Sequence, residues 1–106
     1  MPTNVTKLLS ELKKGLARLY GKRLKAVYLF GSYARGDYDE ASDLDVMIVL
    51  DDYQSYWQEL ERSGELTSEL SLEYGVSISR VVMKQRQWQD DDTPLLRNIR
   101  AEGLPA

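Results

Sequence analysis

Asp43 and Asp45 stand one position apart, and ten residues separate the first of them from the dipeptide Gly31-Ser32. Leu44, Val46, Ile48 and Leu50 alternate with Asp43, Asp45, Met47 and Val49, which predicts a strand apolar throughout except at its start. Strand side chains alternate faces with a period of two, so the aspartates are expected to point the same way. Two carboxylates on one face, beside a glycine-bearing turn, suit a divalent cation held against a phosphate chain. The alternative is a capped turn with a surface pair, which leaves two like charges repelling on one face. Asp45 lies a full pleat inside the strand, where an unpaired carboxylate costs several kcal/mol.

The composition narrows the remaining chemistry. The chain has 106 residues, no histidine and no cysteine. Histidine-dependent triads, histidine-ligated zinc, thiolate sites and disulfides are all excluded. Catalysis is left to carboxylates, lysine or arginine, backbone amides, or a metal held by oxygen. No apolar run approaches the ~18–20 residues that span a membrane, and no secretory signal pattern opens the chain, so a cytoplasmic location is expected. The net charge of −3 hides a segregation. Residues 1–36 carry eight basic side chains against Glu11, and residues 37–75 carry twelve acidic ones against Arg62. Such blocks read as solvated helix faces, or as a basic third that approaches polyphosphate; direct nucleic-acid binding is the weakest reading.

The elements that must position these residues follow from periodicity. Val5, Leu8, Leu9, Leu12, Leu16, Leu19 and Tyr20 trace one face of a helix over about residues 4–20, with Thr3 or Asn4 as N-cap and Gly21 at its end. Gly15 within it costs about 1 kcal/mol against alanine. Residues 24–30 are apolar on both faces and predict an interior strand. A short helical turn over 32–36 and an exposed loop over 36–40 precede the aspartate strand. Tyr53, Trp57, Leu60, Thr67, Leu70 and Tyr74 predict a second long helix over 53–74, with Trp57 and Tyr74 in the core and Gly64 at a close contact or bend. A third strand is expected over 76–83, a polar loop over 84–92, and a last helix from Thr93-Pro94 to Glu102, stopped at Gly103. The whole reads as one α/β domain, residues 1–106, with helices flanking a short sheet of three or slightly more strands.

Gly31-Ser32, Arg35-Gly36 and Ser42-Asp43-Leu44-Asp45 together resemble the signature of the DNA polymerase beta-like nucleotidyltransferase superfamily. The short length and the form Gly-Ser-Tyr-Ala-Arg-Gly resemble its minimal nucleotidyltransferase (MNT) group. The resemblance implies a small polymerase beta-like fold with a short mixed sheet. It implies Mg²⁺ held by Asp43 and Asp45, and nucleotide bound by Gly31, Ser32, Arg35 and Gly36. It further implies transfer of a nucleoside monophosphate, AMP from ATP, to a hydroxyl such as a tyrosine of a partner HEPT toxin, a helical protein encoded nearby, with this chain as the antitoxin in a hetero-oligomer or as a homodimer.

One departure stands out. Members of the superfamily carry a third carboxylate on a neighbouring strand, and here Ser79 takes that place, with no acidic residue between Val76 and Gln89. A second expectation follows from it, a weakly active or inactive domain that neutralises or scaffolds its partner by binding alone.

Overall fold

The computed structural model describes residues 1–106. The order is α1 (Thr3–Tyr20), β1 (Leu24–Phe30), α2 (Ser32–Arg35), β2 (Leu44–Leu50), α3 (Tyr56–Tyr74), β3 (Ile78–Lys84), α4 (Gln85–Asp90), α5 (Pro94–Glu102) and β4 (Leu104–Pro105). The strands form one mixed sheet in the order β3-β2-β1-β4, with β1 antiparallel to both β2 and β4 and β2 parallel to β3. This is the small α/β architecture that the element order predicts.

The period-two pattern of β1 and β2 divides the core between the two faces of the sheet. Val27, Leu29, Val46, Ile48 and Leu50 pack under Leu8, Leu12 and Leu16 of α1 and Leu70 of α3. Met47 and Val49 face the other way, onto Leu96 and Ile99 of α5, with Tyr28, Phe30 and Trp88 at the margin. Each such fully buried aliphatic side chain contributes roughly 1.5–3 kcal/mol. Gly15 earns its place in α1 by packing: a Cβ there would sit 2.7 Å from Leu66 Cδ1 of α3.

Several expectations need correction. Pro2, not Thr3 or Asn4, is the N-cap of α1, and Leu19, at the edge of its apolar stripe, is 40% exposed rather than buried. The segment 84–92 is not all loop. Residues 85–90 form α4, held where Trp88 packs on Tyr28 with ring centroids 5.0 Å apart and where the Gln87 side chain accepts from the Lys84 amide at 3.0 Å. The stripe on α3 is rotated, with Glu59, Ser63, Thr67 and Leu70 facing inward while Trp57 is 76% exposed. Glu59 tolerates burial because Arg23 and Arg62 reach it at 3.2 and 3.4 Å. Ser63 donates to the Glu59 carbonyl and accepts from Arg80 Nε. A polar network thus occupies part of a face that apolar periodicity assigned to the core.

Candidate active site

The antiparallel β1–β2 pair brings the candidate residues together. β1 ends at Phe30, which lies opposite Asp45 in the register. The chain then turns at Gly31, whose φ of +74° is a left-handed value that side chains rarely adopt. Space demands glycine as well, because a Cβ at Gly31 would collide with the Asp45 carboxylate. The Asp45 oxygens therefore lie directly against the backbone of the Gly-Ser turn.

Ser32 opens α2, and the Ala34 and Arg35 amides both donate to the Gly31 carbonyl. The Ser32 and Tyr33 amides of this first turn have no acceptor inside the helix. Tyr33 is buried and stacks on Tyr38 at 4.4 Å, which fixes α2 against the loop that follows. Gly36 closes α2 at φ +88°, donating to the Ser32 carbonyl at 2.9 Å. Across that loop, Asp39 and Ser42 bond each other: the Asp39 amide donates to Ser42 Oγ at 2.9 Å and the Ser42 amide to the Asp39 carbonyl at 3.1 Å. Asp43 follows at once, exposed, just outside the strand that was expected to include it. A polar cavity of about 210 Å³ opens beside it, lined by Tyr33, Glu40, Ser42 and Ser77 among others.

The electrostatics set Asp45 apart from an ordinary surface carboxylate. Burial, and then the charge of Asp43, push the Asp45 carboxyl above the usual carboxylate range, while Arg35 pulls it the other way. Arg35 is itself tethered, with Nε on Asp37 Oδ2 and Nη1 on Glu102 Oε1, each at 3.2 Å. The contact with Glu102 joins α2 to the end of α5, across 67 positions of sequence. No periodicity or local motif announces it.

On the third strand, parallel pairing sets Ser79 directly beside Asp45. Neighbours in a parallel register share a face, so the exposed Ser79 stands on the Asp45 side of the sheet. No third carboxylate joins the pair: nowhere do three or more acidic, histidine or cysteine side chains cluster as a metal cage. The donor set is two carboxylates with room for phosphate and water oxygens, which fits Mg²⁺ bound together with a nucleotide. Gly31, Ser32, Arg35, Gly36, Asp43, Asp45 and Ser79 are thus all at one end of β1 and β2, on or next to one face. Sequence reasoning missed Asp37 and Glu102, which restrain Arg35, and Tyr38, which braces α2.

Comparison with known proteins bears on the family and the fold. Residues 9–102 match the family model described as nucleotidyltransferase domain. The Methanocaldococcus jannaschii protein named "Putative protein adenylyltransferase MJ0604" is 36% identical over 101 residues, covering 94% of this chain and 95% of its own length. The solved structure named "Structure of putative minimal nucleotidyltransferase" superposes with a TM-score of 0.62 at 23% identity, over 98% of this chain and 93% of that one. The complex of a tri-AMPylated Shewanella oneidensis HEPN toxin with MNT antitoxin gives a TM-score of 0.52 at 19% identity, over 92% of this chain and 70% of that one. With the signature and the family match in agreement, the chain belongs to the nucleotidyltransferase domain family.

Proposed function

We propose that this chain is an adenylyltransferase that moves AMP from ATP onto a tyrosine hydroxyl of a HEPT-type helical toxin, and so acts as its antitoxin. The observation that carries the reading is the Gly31 cradle. A left-handed glycine leaves room for the Asp45 carboxylate at the turn where a phosphate chain would approach. Support for adenylyl transfer comes from the protein adenylyltransferase name of the relative, and support for a toxin acceptor from the AMPylated toxin in the neighbouring complex.

In this reading Gly31 and Ser32 receive the phosphates through backbone amides and the serine hydroxyl, and Arg35 at the end of α2 offsets their charge. Asp43 and Asp45 would hold Mg²⁺, which supplies charge compensation at the α-phosphate and at the departing pyrophosphate. The acceptor oxygen bonds to the α-phosphorus as the bond to pyrophosphate breaks, and the protein's share is to align the two. The neighbouring complex, in which the AMPylated toxin is a separate chain from the MNT antitoxin, supports a separate partner as acceptor. ATP as donor favours the cytoplasm; no helix is long and apolar enough to cross a membrane.

Ser79 favours a second reading, in which the chain restrains its partner by binding alone. A hydroxyl beside Asp45 cannot take the acceptor proton as a carboxylate does. One experiment separates the two. Chain, Mg²⁺, ATP and the toxin encoded beside it are mixed, and the toxin is weighed by mass spectrometry. Transfer predicts an added adenylyl group with the parent chain, reduced by about 10³ or more with Asp43→Asn. An unmodified toxin that both forms neutralise equally would falsify the transfer reading and leave the binding one.

A further inference from the structure

The helix layer on the far face of the sheet carries a mainly basic ridge on α1, interrupted by Glu11, and a mainly acidic ridge on α3, interrupted by Arg62. Lys7, Lys14 and Arg18 on α1 are exposed, as are Glu61, Glu65 and Glu69 on α3, and none of the six takes part in an ion pair. Helical spacing puts each set on the outward or groove-facing side of its helix, opposite the buried stripe. Glutamates spaced by four along one helix face repel one another, and Arg18 and Arg62, which line the same cavity as Glu65 and Glu69, form no ion pair with either.

Between the ridges runs a groove floored by Gly15 and Leu66, with two adjoining cavities of about 370 and 340 Å³. Leu19 of α1 is 40% exposed at its rim, and Leu72 of α3, 87% exposed, lies two turns along the line from Glu65. Apolar side chains between two ridges of mainly opposite charge are the composition of an interface rather than of a merely solvated surface.

We infer that this layer is where two copies of the chain associate, about a two-fold axis running along the groove. A partner bearing one sign of charge would satisfy one ridge and repel the other. A second copy satisfies both, because the axis sets its α1 over α3 of the first and its α3 over α1. α1 and α3 run antiparallel, with Tyr20 level with Glu59 and Gly15 level with Leu66. An axis along the groove preserves those levels, so Arg18 of each copy meets Glu61 and Glu65 of the other, and Lys14 meets Glu65 and Glu69. An axis across the groove would instead stack α1 on α1 and α3 on α3, like charge on like.

Helices about 28 Å long, side by side, offer on the order of 500 Å² per copy, at the low end for a specific interface. The dimer is therefore reversible and salt-sensitive. Asp45 faces the other side of the sheet with Met47 and Val49, so association leaves both candidate sites open and does not depend on the chemistry proposed for them.

The test is sedimentation of the full chain. The parent dimerises at about 50 mM salt and its affinity falls about ten-fold or more near 500 mM, as screened charge pairs require. Lys14→Glu/Arg18→Glu and Glu65→Lys/Glu69→Lys, all at exposed positions, keep the parent circular dichroism yet are each monomeric alone. Mixed together they form a one-to-one dimer, because one variant now carries mainly acidic ridges and the other mainly basic ones. A parent that stays monomeric at every concentration and salt overturns the inference. So does a dimer that both double variants leave intact, or a mixture that fails to associate.

Discussion

On the α1/α3 side of the sheet fourteen buried residues form one continuous apolar cluster, whereas on the α4/α5 side four do. The strands are the same strands; only the alternating side chains differ. Along β2 the first face reads Leu44, Val46, Ile48 and Leu50, all buried, and the second reads Asp45, Met47 and Val49, in which the aspartate takes the place of a third apolar residue. The apolar layer over the second face is thin, and at the end where β1 turns at Gly31 it gives way to carboxylates, a serine and an arginine. Stability is concentrated on one side of the sheet, and groups that burial would penalise are left on the other, where partial exposure lets them stay charged.

The sharpest way to break that contrast is to excavate both faces. Ile48→Ala is expected to cost about 3–5 kcal/mol, and Ile99→Ala about 2–3 kcal/mol because the thinner layer collapses more readily into the space. Urea titration of the two variants measures the difference, and equal losses would erase the contrast. Next in size is Gly31→Ala. A left-handed backbone and the collision with Asp45 together cost about 2 kcal/mol, and the displaced carboxylate takes nucleotide binding with it. Thermal unfolding with and without ATP reads both effects.

The smallest effect has the opposite sign. The folded chain raises the Asp45 carboxyl above its unfolded value, so the folded state holds that proton more tightly. The ionised group therefore costs stability above the raised value, and the cost is relieved as the pH falls through it. In metal-free protein Asp45→Asn should be more stable than the parent at neutral pH by about 0.5 kcal/mol after screening, a rise of roughly 2–4 °C. That advantage should shrink as the pH falls toward 4. Added Mg²⁺ with ATP should raise the parent's melting temperature and leave the variant's almost unmoved. A variant less stable than its parent at neutral pH would mean that Asp45 supports the fold and does not strain it.

Much of this arrangement was legible in the sequence, for reasons that differ between elements. Val5 to Tyr20 and, apart from Asp45, Leu44 to Leu50 keep a readable period because packing dominates there, and Gly31-Ser32 stood out beside the aspartate pair. α3 misled, since Glu59 is buried through Arg23, 36 positions earlier, and a wheel drawn from apolar residues alone then turns toward Trp57. α4 has too little apolar pattern to declare itself and exists because Trp88 finds Tyr28 across the fold. Arg35 was visible as a residue but not as one restrained by Glu102, because a contact between distant segments leaves no local spacing to read. The carboxylate pair was readable; the supports that hold its surroundings in place were not.

The strand pairings also have a kinetic consequence. β1 and β2 are joined by thirteen residues and pair antiparallel, while β3 reaches β2 only after twenty-seven residues that include α3. Doubling a loop adds only about 0.6 kcal/mol to its closure, but parallel pairing must also wait for the crossover helix to dock. The hairpin that sets Asp45 against Gly31 should therefore form early, before β3 is in place. Substitutions at Ile48 should slow folding, and those at Val82 should mainly speed unfolding. Ser79 arrives with the late strand, which makes its position one that can change without disturbing how the chain first finds its shape.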